Sequence, residues 1–456
     1  MSSVGRVIRR CPNSDSRVVP FIRFGPLFGQ DEEGSSVREA KEEAWKHVMK
    51  NSKPSEAIVT EIYMSCIRNI EKKAKDSYDP DPVIWDKLSN SDFRDMMLKD
   101  TCLFLQLSFS LFRAVDNKLD DGELVDFPHL RNMISLSKRH KWVESMLHVG
   151  NQIPLVVIRE VLKQSYFRQV VDNGKWKEPL FDPVKKSLFR ILLSPTEYYW
   201  FGKHAMHWTQ ELKECCDVLH GIHLLLVGPE IDPEKDEYED DDDENDHIGD
   251  VEENRVTNTN SGGSSSSDDD ATKKNNDKLL KNVIELKQAG IYFGVTKKGA
   301  GIKGIRFKSN LIYPKLYLPP LFIGCYTQLL LENQTQYEQT LDSSLRQVSS
   351  YLIFMRDLVR TTQDAKILVS DGIVKGNRKY IQKLPAILIH LVPHNDKIID
   401  PNLTSVNIEI NSFYQPPWVT SYFTILFSFT LFGVIISIAQ TIYAVLAYHK
   451  PPSSPT

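Results

Sequence analysis

The feature that most constrains this chain is an apolar run near its C-terminal end, Tyr422 to Leu446. Its 25 residues include no charged side chain, and 14 of them are Leu, Ile, Phe or Val. As a helix with a rise of about 1.5 Å per residue, the run would be ~37 Å long, more than the roughly 30 Å hydrocarbon core of a bilayer. A core helix of a soluble protein usually has a polar stripe, and this run has none. The run predicts a membrane-spanning helix within an anchor of residues 418–448, with the lipid bilayer as a partner.

Small residues recur along one face of the predicted span. Gly433, Ser437 and Thr441 are spaced at i, i+4 and i+8. Small side chains at this spacing allow two membrane helices to approach closely. Homo-oligomerisation through this face is therefore a hypothesis, and the alternative is that small residues are simply common in membrane helices.

Two signals disagree on which side of the membrane the rest of the chain faces. Only a short tail, residues 449–456, follows the span, and the N-terminus lacks the apolar core of a signal peptide. Insertion after synthesis would then leave the bulk of the chain in the cytosol, which we favour. Lys450 behind the span, with Glu409 and no Lys or Arg just before it, indicates the opposite orientation. In that orientation the sequons at Asn333 and Asn402 would be open to glycosylation.

The chain before the anchor divides by pattern into four parts. Residues 1–30 form an irregular N-terminal segment, and residues 31–228 have the apolar periodicity of a helical lobe. Residues 229–277 are acidic and rich in Ser and Gly, a composition typical of disorder. Residues 278–417 mix helix and strand patterns. The predicted fold class is mainly α with a small α+β second lobe, as a soluble two-lobed body plus one C-terminal transmembrane helix.

Local patterns place the helices of the first lobe. Ser36 and Glu39 form a capping box before a helix that ends near Lys50. Asp92–Phe112 is too apolar to be exposed and predicts the central helix. Between residues 55 and 75, apolar side chains recur at helical spacing and predict one buried face: Ile58, Ile62, Cys66 and Ile70.

A further helix of this lobe is predicted after the stretch "NQIP". Asn151 is placed to cap it, and Pro154 lies in its first turn, where a missing N–H costs little. Within the linker, Glu239–Asp246 has seven acidic residues in eight. The linker is either a docking or calcium-attracting tail or a solvated connection, and like-charge repulsion favours the second interpretation.

Motifs for cofactors are sparse. Gly299–Gly304 matches the G-x-G-x-x-G pattern, but no helix pattern follows it, so we predict a glycine-rich hairpin loop and not a nucleotide site. Two histidine pairs flank Cys215 and Cys216 with residue types that suit zinc: His204, His207, His220 and His223. Adjacent cysteines cannot both point inward from one helix, and the spacings do not fit a zinc finger. We therefore predict no metal and no cofactor, with these histidines as hydrogen-bonded helical residues.

Other classes of function find no support in the sequence. Six scattered cysteines suit a reducing compartment rather than a disulfide framework. The net charge is −4, and we find no basic patch interleaved with aromatic residues, so nucleic acid is not an expected partner. No motif of a catalytic nucleophile, P-loop or zinc protease is present, so no catalytic residue is predicted.

Several stretches of the chain resemble, in order, those of the plant family called domain of unknown function 247. The stretch "FIRFGPLFG" is similar to the family's S-I-G-P-Y-H-H-G, and "MMLKDTCLFLQL" to its M-x-x-D-G-C-F-I-L-E-L. The stretch "NQIPLVVIREVL" is similar to E-N-Q-I-P-F-F-V-L-x-x-L, and "AQTIYAVLAY" resembles the membrane-spanning end of the family. The resemblance carries over seven matched positions, for which we predict capping and packing roles: Gly25, Pro26, Asp100, Cys102, Asn151, Gln152 and Pro154.

Three polar positions of the family pattern differ in this chain. The family's His-His is Leu27-Phe28, and its two Glu positions are occupied by Gln106 and Gly150. If other members use these positions as a site, this chain has lost or changed it. That loss fits a diverged recognition protein better than a catalyst.

The resemblance implies a plant membrane protein, in the plasma membrane or an endomembrane. Some grass members are associated with self-incompatibility loci as candidate pollen-side determinants. Our first hypothesis is a non-enzymatic, single-span protein that binds an unknown protein partner in recognition or signalling. One alternative is an enzyme of unrecognised type with a pocket between the lobes. Another is a membrane scaffold that uses the acidic linker for docking.

Overall fold

The structure is a computed structural model that describes most of the chain outside the acidic region. The described residues are 7–10, 19–29, 33–52, 55–115, 125–173, 215–229, 280–296, 300–309, 313–392, 397–414 and 417–449. The predicted acidic linker, the C-terminal tail, His204 and His207 lie outside the described residues, apart from residues 229 and 449 themselves.

Helices dominate the part of the chain that the structure describes. The helices before residue 174 are α1 Ser35–Lys50, α2 Glu56–Asp76, α3 Pro82–Trp85, α4 Asn90–Val115, α5 Pro128–Ile134, α6 Arg139–Leu147, α7 Leu155–Leu162 and α8 Ser165–Asn173. The later helices are α9 Val218–Val227, α10 Val283–Gln288, α11 Thr327–Gln339, α12 Gln347–Leu358, α13 Thr362–Ser370, α14 Arg378–Ile381, α15 Leu384–Leu391, α16 Pro401–Phe413 and α17 Pro417–His449.

Short strands lie only in the second half of the described chain. They are β1 Tyr292–Val295, β2 Arg306–Lys308, β3 Lys315–Leu318, β4 Leu321–Ile323 and β5 Val374–Gly376. Strand β3 lies between β1, to which it is parallel, and β2, to which it is antiparallel. Strands β4 and β5 form a separate parallel pair. The predicted fold class, mainly α with a small sheet content and an apolar C-terminal helix, is confirmed.

The described residues outside 230–279 form one compact unit with two hydrophobic cores. The first core contains the apolar faces of α1, α2, α4, α6 and α7, and the second is built around the small sheet with α12, α13 and α16. Helix α9 contributes Leu225 to the first core and Val227 to the second, and α11 contributes Leu330 and Leu331 in the same way. These two helices therefore join the cores.

Helix α2 buries a different face from the one predicted. Ile58 and Ile62 are 54% and 44% exposed, whereas Val59, Tyr63 and Ile67 are buried. Both sets have helical spacing; Cys66 and Ile70 of the predicted set are half-buried against the first core, and the fully buried residues belong to the second set. The predicted capping box is also wrong, because α1 begins at Ser35, with Gly34 at the cap position and no capping side chain.

The loop before β2 makes a close backbone contact with the end of α9. Gly228 has φ 94°, and a Cβ placed on it would lie 2.0 Å from the carbonyl oxygen of Ala300. Gly301, with φ 58°, faces Gly228 from the other side of this contact. The predicted hairpin is wrong, since β3 separates β1 from β2 and Ile302–Gly304 forms a 3-10 turn.

Helix α17 contains the predicted span Tyr422–Leu446. Its segment Leu426–Leu446, 21 residues, is long and apolar enough to cross a membrane, and 0% of it is buried against other residues. Such a helix indicates membrane association.

We expect Gly228→Ala to destabilise the protein much more than Gly290→Ala. Both glycines have positive φ, 94° and 85°, but a Cβ at Gly290 would meet no atom within 4 Å. The two variants share the backbone strain, so the difference in their free energies of unfolding measures the contact with Ala300. We expect that difference to be at least about 2 kcal/mol. Chemical denaturation of the full chain in detergent measures it, and equal costs would contradict a tight contact.

Candidate functional site

The matched family residues lie around the irregular segment 20–29 at one side of the first core. This segment has no helix or strand, so its backbone polar groups need partners from elsewhere when they are buried. Side chains from α1, α4 and the loop before α7 provide those partners.

Four charged side chains, Arg23, Glu33, Lys41 and Asp100, form a buried ion cluster, and each is at most 7% exposed. Lys41 Nζ, from α1, lies 2.8 Å from Asp100 Oδ1 and 2.9 Å from Glu33 Oε2. The same ammonium group donates a hydrogen bond to the carbonyl oxygen of Arg23 at 2.6 Å. One lysine thus bridges two carboxylates and the backbone of the segment.

The ion cluster also binds backbone groups on both sides of Phe24. Asp100 Oδ2 accepts a hydrogen bond from the backbone N–H of Gly25 at 2.8 Å, and Glu33 Oε1 accepts one from Arg23 at 2.8 Å. The Arg23 guanidinium donates to the carbonyl oxygens of Phe28 and Gly29 at 3.1 and 2.7 Å. Lys41 is thus the cation that contacts both carboxylates, whereas the Arg23 guanidinium holds backbone carbonyl groups of the segment.

Asn151 and Gln152 form an amide pair beside the ion cluster. Asn151 Oδ1 accepts from the N–H of Phe24 at 2.7 Å, and its Nδ2 donates to the carbonyl oxygens of Ile22 and Ser145 at 2.8 Å each. Gln152 Nε2 donates to the carbonyl oxygen of Met146 at 2.7 Å. Asn151 therefore joins the segment to α6.

Asn151 and Pro154 do not have the predicted helix positions. Helix α7 begins at Leu155, and Pro154 takes the cap position without a capping side chain, so the prediction that Asn151 caps this helix is wrong. Its side-chain atoms are already occupied by Phe24, Ile22 and Ser145.

The remaining matched residues shape the turn of the segment. Gly25 has φ 69°, and a Cβ there would lie 2.5 Å from the hydroxyl of Tyr78, which donates to the carbonyl oxygen of Gln152 at 2.8 Å. Pro26 is in the turn that follows.

Cys102, another matched residue, is fully buried in the first core. Burial raises the pKa of the Cys102 thiol well above its usual range, so this thiol is not prepared for nucleophilic attack.

Burial also sets the ionisation of Asp100. Loss of solvation raises its pKa from 3.8 to about 6, with Lys41 lowering it and Glu33 raising it. Lys41 therefore offsets only part of the cost of burying this carboxylate.

Two of the three departures from the family pattern lie close together. The Phe28 ring packs edge-on against His148, with ring centroids 5.1 Å apart, and the Arg10 guanidinium lies 5.2 Å from the Phe28 centroid. Gly150 has φ 81°, and a Cβ there would lie 3.2 Å from Arg10 Cα. An aromatic contact thus stands where the family pattern has ionisable groups. Gln106 lies elsewhere and donates to the carbonyl oxygen of Ala44 at 2.8 Å.

A second buried polar centre lies between α9, α11 and α12. Glu338, 0% exposed, accepts hydrogen bonds from the backbone N–H groups of Val348 and Ser349 at 2.7 Å each and from the Ser349 hydroxyl at 2.6 Å. It thereby caps the N-terminus of α12 from a neighbouring helix. His223 Nδ1, from α9, lies 3.6 Å from Glu338 Oε1. Burial raises the pKa of Glu338 from 4.5 to about 7, and the hydrogen bonds lower it less.

The metal candidates are dispersed. His220 Nδ1 lies 3.4 Å from Cys216 Sγ, whereas His223 faces Glu338. Both cysteines precede α9, because Asp217 caps that helix through the N–H of His220. The described residues contain no group of three or more His, Cys, Asp or Glu side chains placed to hold a metal ion.

The sequons and the small-residue face have different surroundings. Asn333 lies within α11, is 6% exposed and donates to the carbonyl oxygen of Leu329. Asn402 is exposed in α16. Gly433, Ser437 and Thr441 lie along one shallow groove of α17, and the Thr441 hydroxyl donates to the carbonyl oxygen of Ser437 at 2.8 Å. Folding thus makes Asn333 unsuitable as a glycan carrier.

Sequence reasoning missed the charged residues that organise the site: Arg23, Glu33, Lys41 and Glu338. Only Lys41 could have been identified from the sequence, because it follows Ala40 on the apolar face of α1 and is therefore expected to be buried. The other three bond to groups five to eleven residues away in irregular or interhelical segments, at spacings that no periodic pattern reveals.

Residues 2–448 match the domain of unknown function 247, described as a plant protein of unknown function. The chain belongs to this family. The matched range includes the ion cluster, the amide pair and the apolar helix α17. Comparisons with curated proteins and with solved structures found no match. The family therefore indicates a plant origin and assigns no function.

We expect Lys41→Met to lower the free energy of unfolding by about 3–5 kcal/mol, because it leaves Glu33 and Asp100 buried without a cation. Lys46→Met, an exposed position of the same helix, is the matched control and should change stability by less than about 0.5 kcal/mol. Denaturation of the full chain in detergent, followed by tryptophan fluorescence, measures both. Equal effects would show that the cluster does not stabilise the fold.

We expect the stability of the protein to fall as pH rises from about 5 to 8. The folded-state pKa values of Glu338 and Asp100 are raised, so the folded state holds protons that the unfolded state has released. The stabilisation is present at the acidic end of this window and is lost as pH rises through the raised values. Glu338→Gln should reduce the fall by about 1–3 kcal/mol. Exposed Glu61→Gln should leave it unchanged, and a steeper fall in Glu338→Gln would contradict the assignment.

Proposed function

We propose that this protein is a non-enzymatic, single-pass plant membrane protein whose body faces the cytosol and binds another protein in recognition or signalling. The finer form of the proposal, taken from the grass relatives, is recognition of the self-incompatibility type in pollen. Family membership supports the plant setting, and α17 supports the anchor. The plasma membrane or an endomembrane is the proposed location.

The main support for the proposal is that the matched polar side chains are buried and bonded to the protein's own backbone. Asp100, Asn151 and Gln152 are 1–3% exposed, and each bonds backbone groups of the protein itself. A general acid or base must come within hydrogen-bond distance of its substrate. These groups could do so only if the segment 20–29 left the core. Their arrangement supports a rigid binding body rather than a catalyst.

The alternative functions have less support. An enzyme with a pocket between the lobes would need space where the cores join, yet α9 and α11 bury His223, Gln334 and Glu338 there. Gln334 Nε2 donates directly to the carbonyl oxygen of Leu219 in α9 at 3.2 Å. A scaffold that docks through the acidic linker would lose partner capture when residues 232–275 are deleted.

Two observations support the cytosolic orientation. Cys66, Cys102 and Cys216 are free thiols, as suits a reducing compartment. The sequon at Asn333 is buried within a helix.

Partner binding is tested by crosslinking in plant cells that express the tagged full chain. The wild type and Lys46→Met should capture the same protein, and Lys41→Met should lose it at equal membrane levels, because its body is destabilised. A protein captured equally by Lys41→Met would not be recognised by the folded body. Turnover of a candidate substrate by the purified chain, abolished by Asp100→Asn, would replace the binding role with an enzymatic one.

We expect protease added outside sealed microsomes to digest the body, and Asn402 to carry no glycan. A matched Asn402→Gln variant should migrate identically on a gel. Protection of the body, or a glycan at exposed Asn402, would contradict the cytosolic orientation.

We expect Gly433→Ile to weaken self-association of α17 in a membrane reporter assay, because the added side chain fills the groove along Gly433, Ser437 and Thr441. Ala439→Ile, on another face of the helix, is the control and should leave the signal unchanged. Equal signals from both variants would contradict association through this face.

A further inference from the structure

A basic surface on the small sheet was not apparent from the sequence. The outward side chains of β2 and β3 are Arg306, Lys308, Lys315 and Tyr317, which together we call the basic sheet face. Arg306 pairs with Tyr317 and Lys308 with Lys315 in the antiparallel register. Three cations therefore surround one aromatic ring, with Arg306 Cζ at 4.9 Å, Lys315 Nζ at 5.1 Å and Lys308 Nζ at 5.8 Å from its centroid. These three cations are separated in the sequence by up to nine residues, and only the strand register brings them to one ring.

This arrangement is unfavourable for the sheet by itself. Like charges directly opposite each other on neighbouring strands, as at Lys308 and Lys315, destabilise a sheet. Residues 286–331 contain seven Lys or Arg residues and no Asp or Glu, although the chain as a whole has a net charge of −4. Of these seven, Arg306, Lys308 and Lys315 lie on the basic sheet face, whereas Lys287 is paired with Asp371. An anionic ligand would relieve the repulsion.

The basic sheet face is joined to the entry of the membrane helix. Phe307, on the inner side of β2 between Arg306 and Lys308, packs against Phe413 with ring centroids 5.7 Å apart. Phe413 ends α16, four residues before α17 begins at Pro417. Four extended residues reach at most about 14 Å. The ten residues from Pro417 to Leu426 add ~14 Å as a helix, nine rises of about 1.5 Å each. Added to the 5.7 Å between the two rings and the lengths of the two side chains, these limits keep β2 within about 45 Å of Leu426, where the apolar segment of α17 begins.

Aromatic residues at the same surface fit a lipid interface. Tyr292 of β1 lies opposite Lys315 and is 47% exposed, and its ring lies 5.9 Å from that of Tyr313, which is 65% exposed. Tyrosine is enriched where a membrane meets water, and clustered Lys and Arg near a span attract anionic headgroups. Gly294, opposite Tyr317, leaves room for the Lys315 and Tyr317 side chains, since a Cβ there would lie 2.5 Å from Lys315 Cε.

We propose that the basic sheet face binds the headgroups of anionic phospholipids in the membrane that α17 enters, and so fixes the body against the bilayer. The inference rests on the proposed membrane anchor. The chain also contains a competing polyanion, since 15 of residues 230–253 are Asp or Glu. The packing of β2 against the residue run that leads into α17 favours the lipid over this segment.

The test uses the full chain in nanodiscs of phosphatidylcholine, with and without about 30% phosphatidylserine. Acetylation rates of single lysines are measured by mass spectrometry. We expect Lys308 and Lys315 to react several-fold more slowly in the anionic discs, and Lys46 and Lys72, exposed on α1 and α2, to react equally in both. High salt should remove the difference, because it screens exposed charges.

A charge-neutralised variant sharpens the test. Arg306→Gln with Lys315→Gln should reduce the protection of Lys308, by up to about fivefold for each cation removed. Lys46→Gln with Lys72→Gln removes the same charge from the helical side and should leave the protection intact. Thermal unfolding of both double variants confirms that they fold.

Two results would overturn the proposal. Equal acetylation of Lys308 and Lys315 in both kinds of disc would exclude headgroup binding. Protection that persists in detergent and disappears when residues 230–253 are deleted would assign the basic sheet face to the chain's own acidic segment. Co-purification of the chain with both kinds of disc establishes the anchor separately, so a failed anchor is distinguished from a failed headgroup site.

Discussion

The pairing of Lys41 with Glu33 and Asp100 is the interaction on which the first core depends. Without it, the two buried carboxyl groups would have to be either ionised with no cation in contact or protonated, and the segment 20–29 would lose the hydrogen bond that Lys41 donates to Arg23. The segment in turn covers apolar residues such as Phe24, whose ring packs edge-on against Phe104 with centroids 5.7 Å apart. The ion pairs of Lys41 thus hold in place the segment that covers the first core, which the helices alone would leave exposed to water.

The second core uses the same principle with a different geometry. Glu338 is a carboxylate from one helix that satisfies the first N–H groups of another, and His223 of a third helix lies beside it. Both centres bury carboxylates whose pKa values are raised by loss of solvation. In each centre, the polar contacts fix the relative position of elements that are distant in the sequence. Apolar packing alone specifies such contacts less strictly.

The helices were predictable from the sequence to a large extent, because their apolar periodicity is local. Asp92–Phe112 was recognised as a central helix, and α4 spans it. The face of α2 was not predictable, since Ile58 and Ile62 repeat with the same spacing as Val59, Tyr63 and Ile67 and only packing against the first core decides between them.

The polar groups were harder to predict than the helices. The role of Asn151 depends on Phe24, 127 residues away, and the pairing of Lys308 with Lys315 depends on strand register. Family resemblance located Asp100, Asn151 and Gln152 as matched positions, and it gave no partners for them. Sequence patterns therefore predicted the helices. They did not predict the tertiary contacts that give the polar residues their roles.

The two ends of the acidic region are fixed at well-packed points. The chain leaves beside Gly228, which is pressed against Ala300, and it returns at Leu280, which is 1% exposed and accepts a hydrogen bond from Arg360 at 2.6 Å. For a flexible connection, closing a loop between fixed ends costs only about 0.6 kcal/mol more for each doubling of its length. Both cores are complete without residues 230–279, so a change in the length of this region leaves every packing contact of the two cores in place.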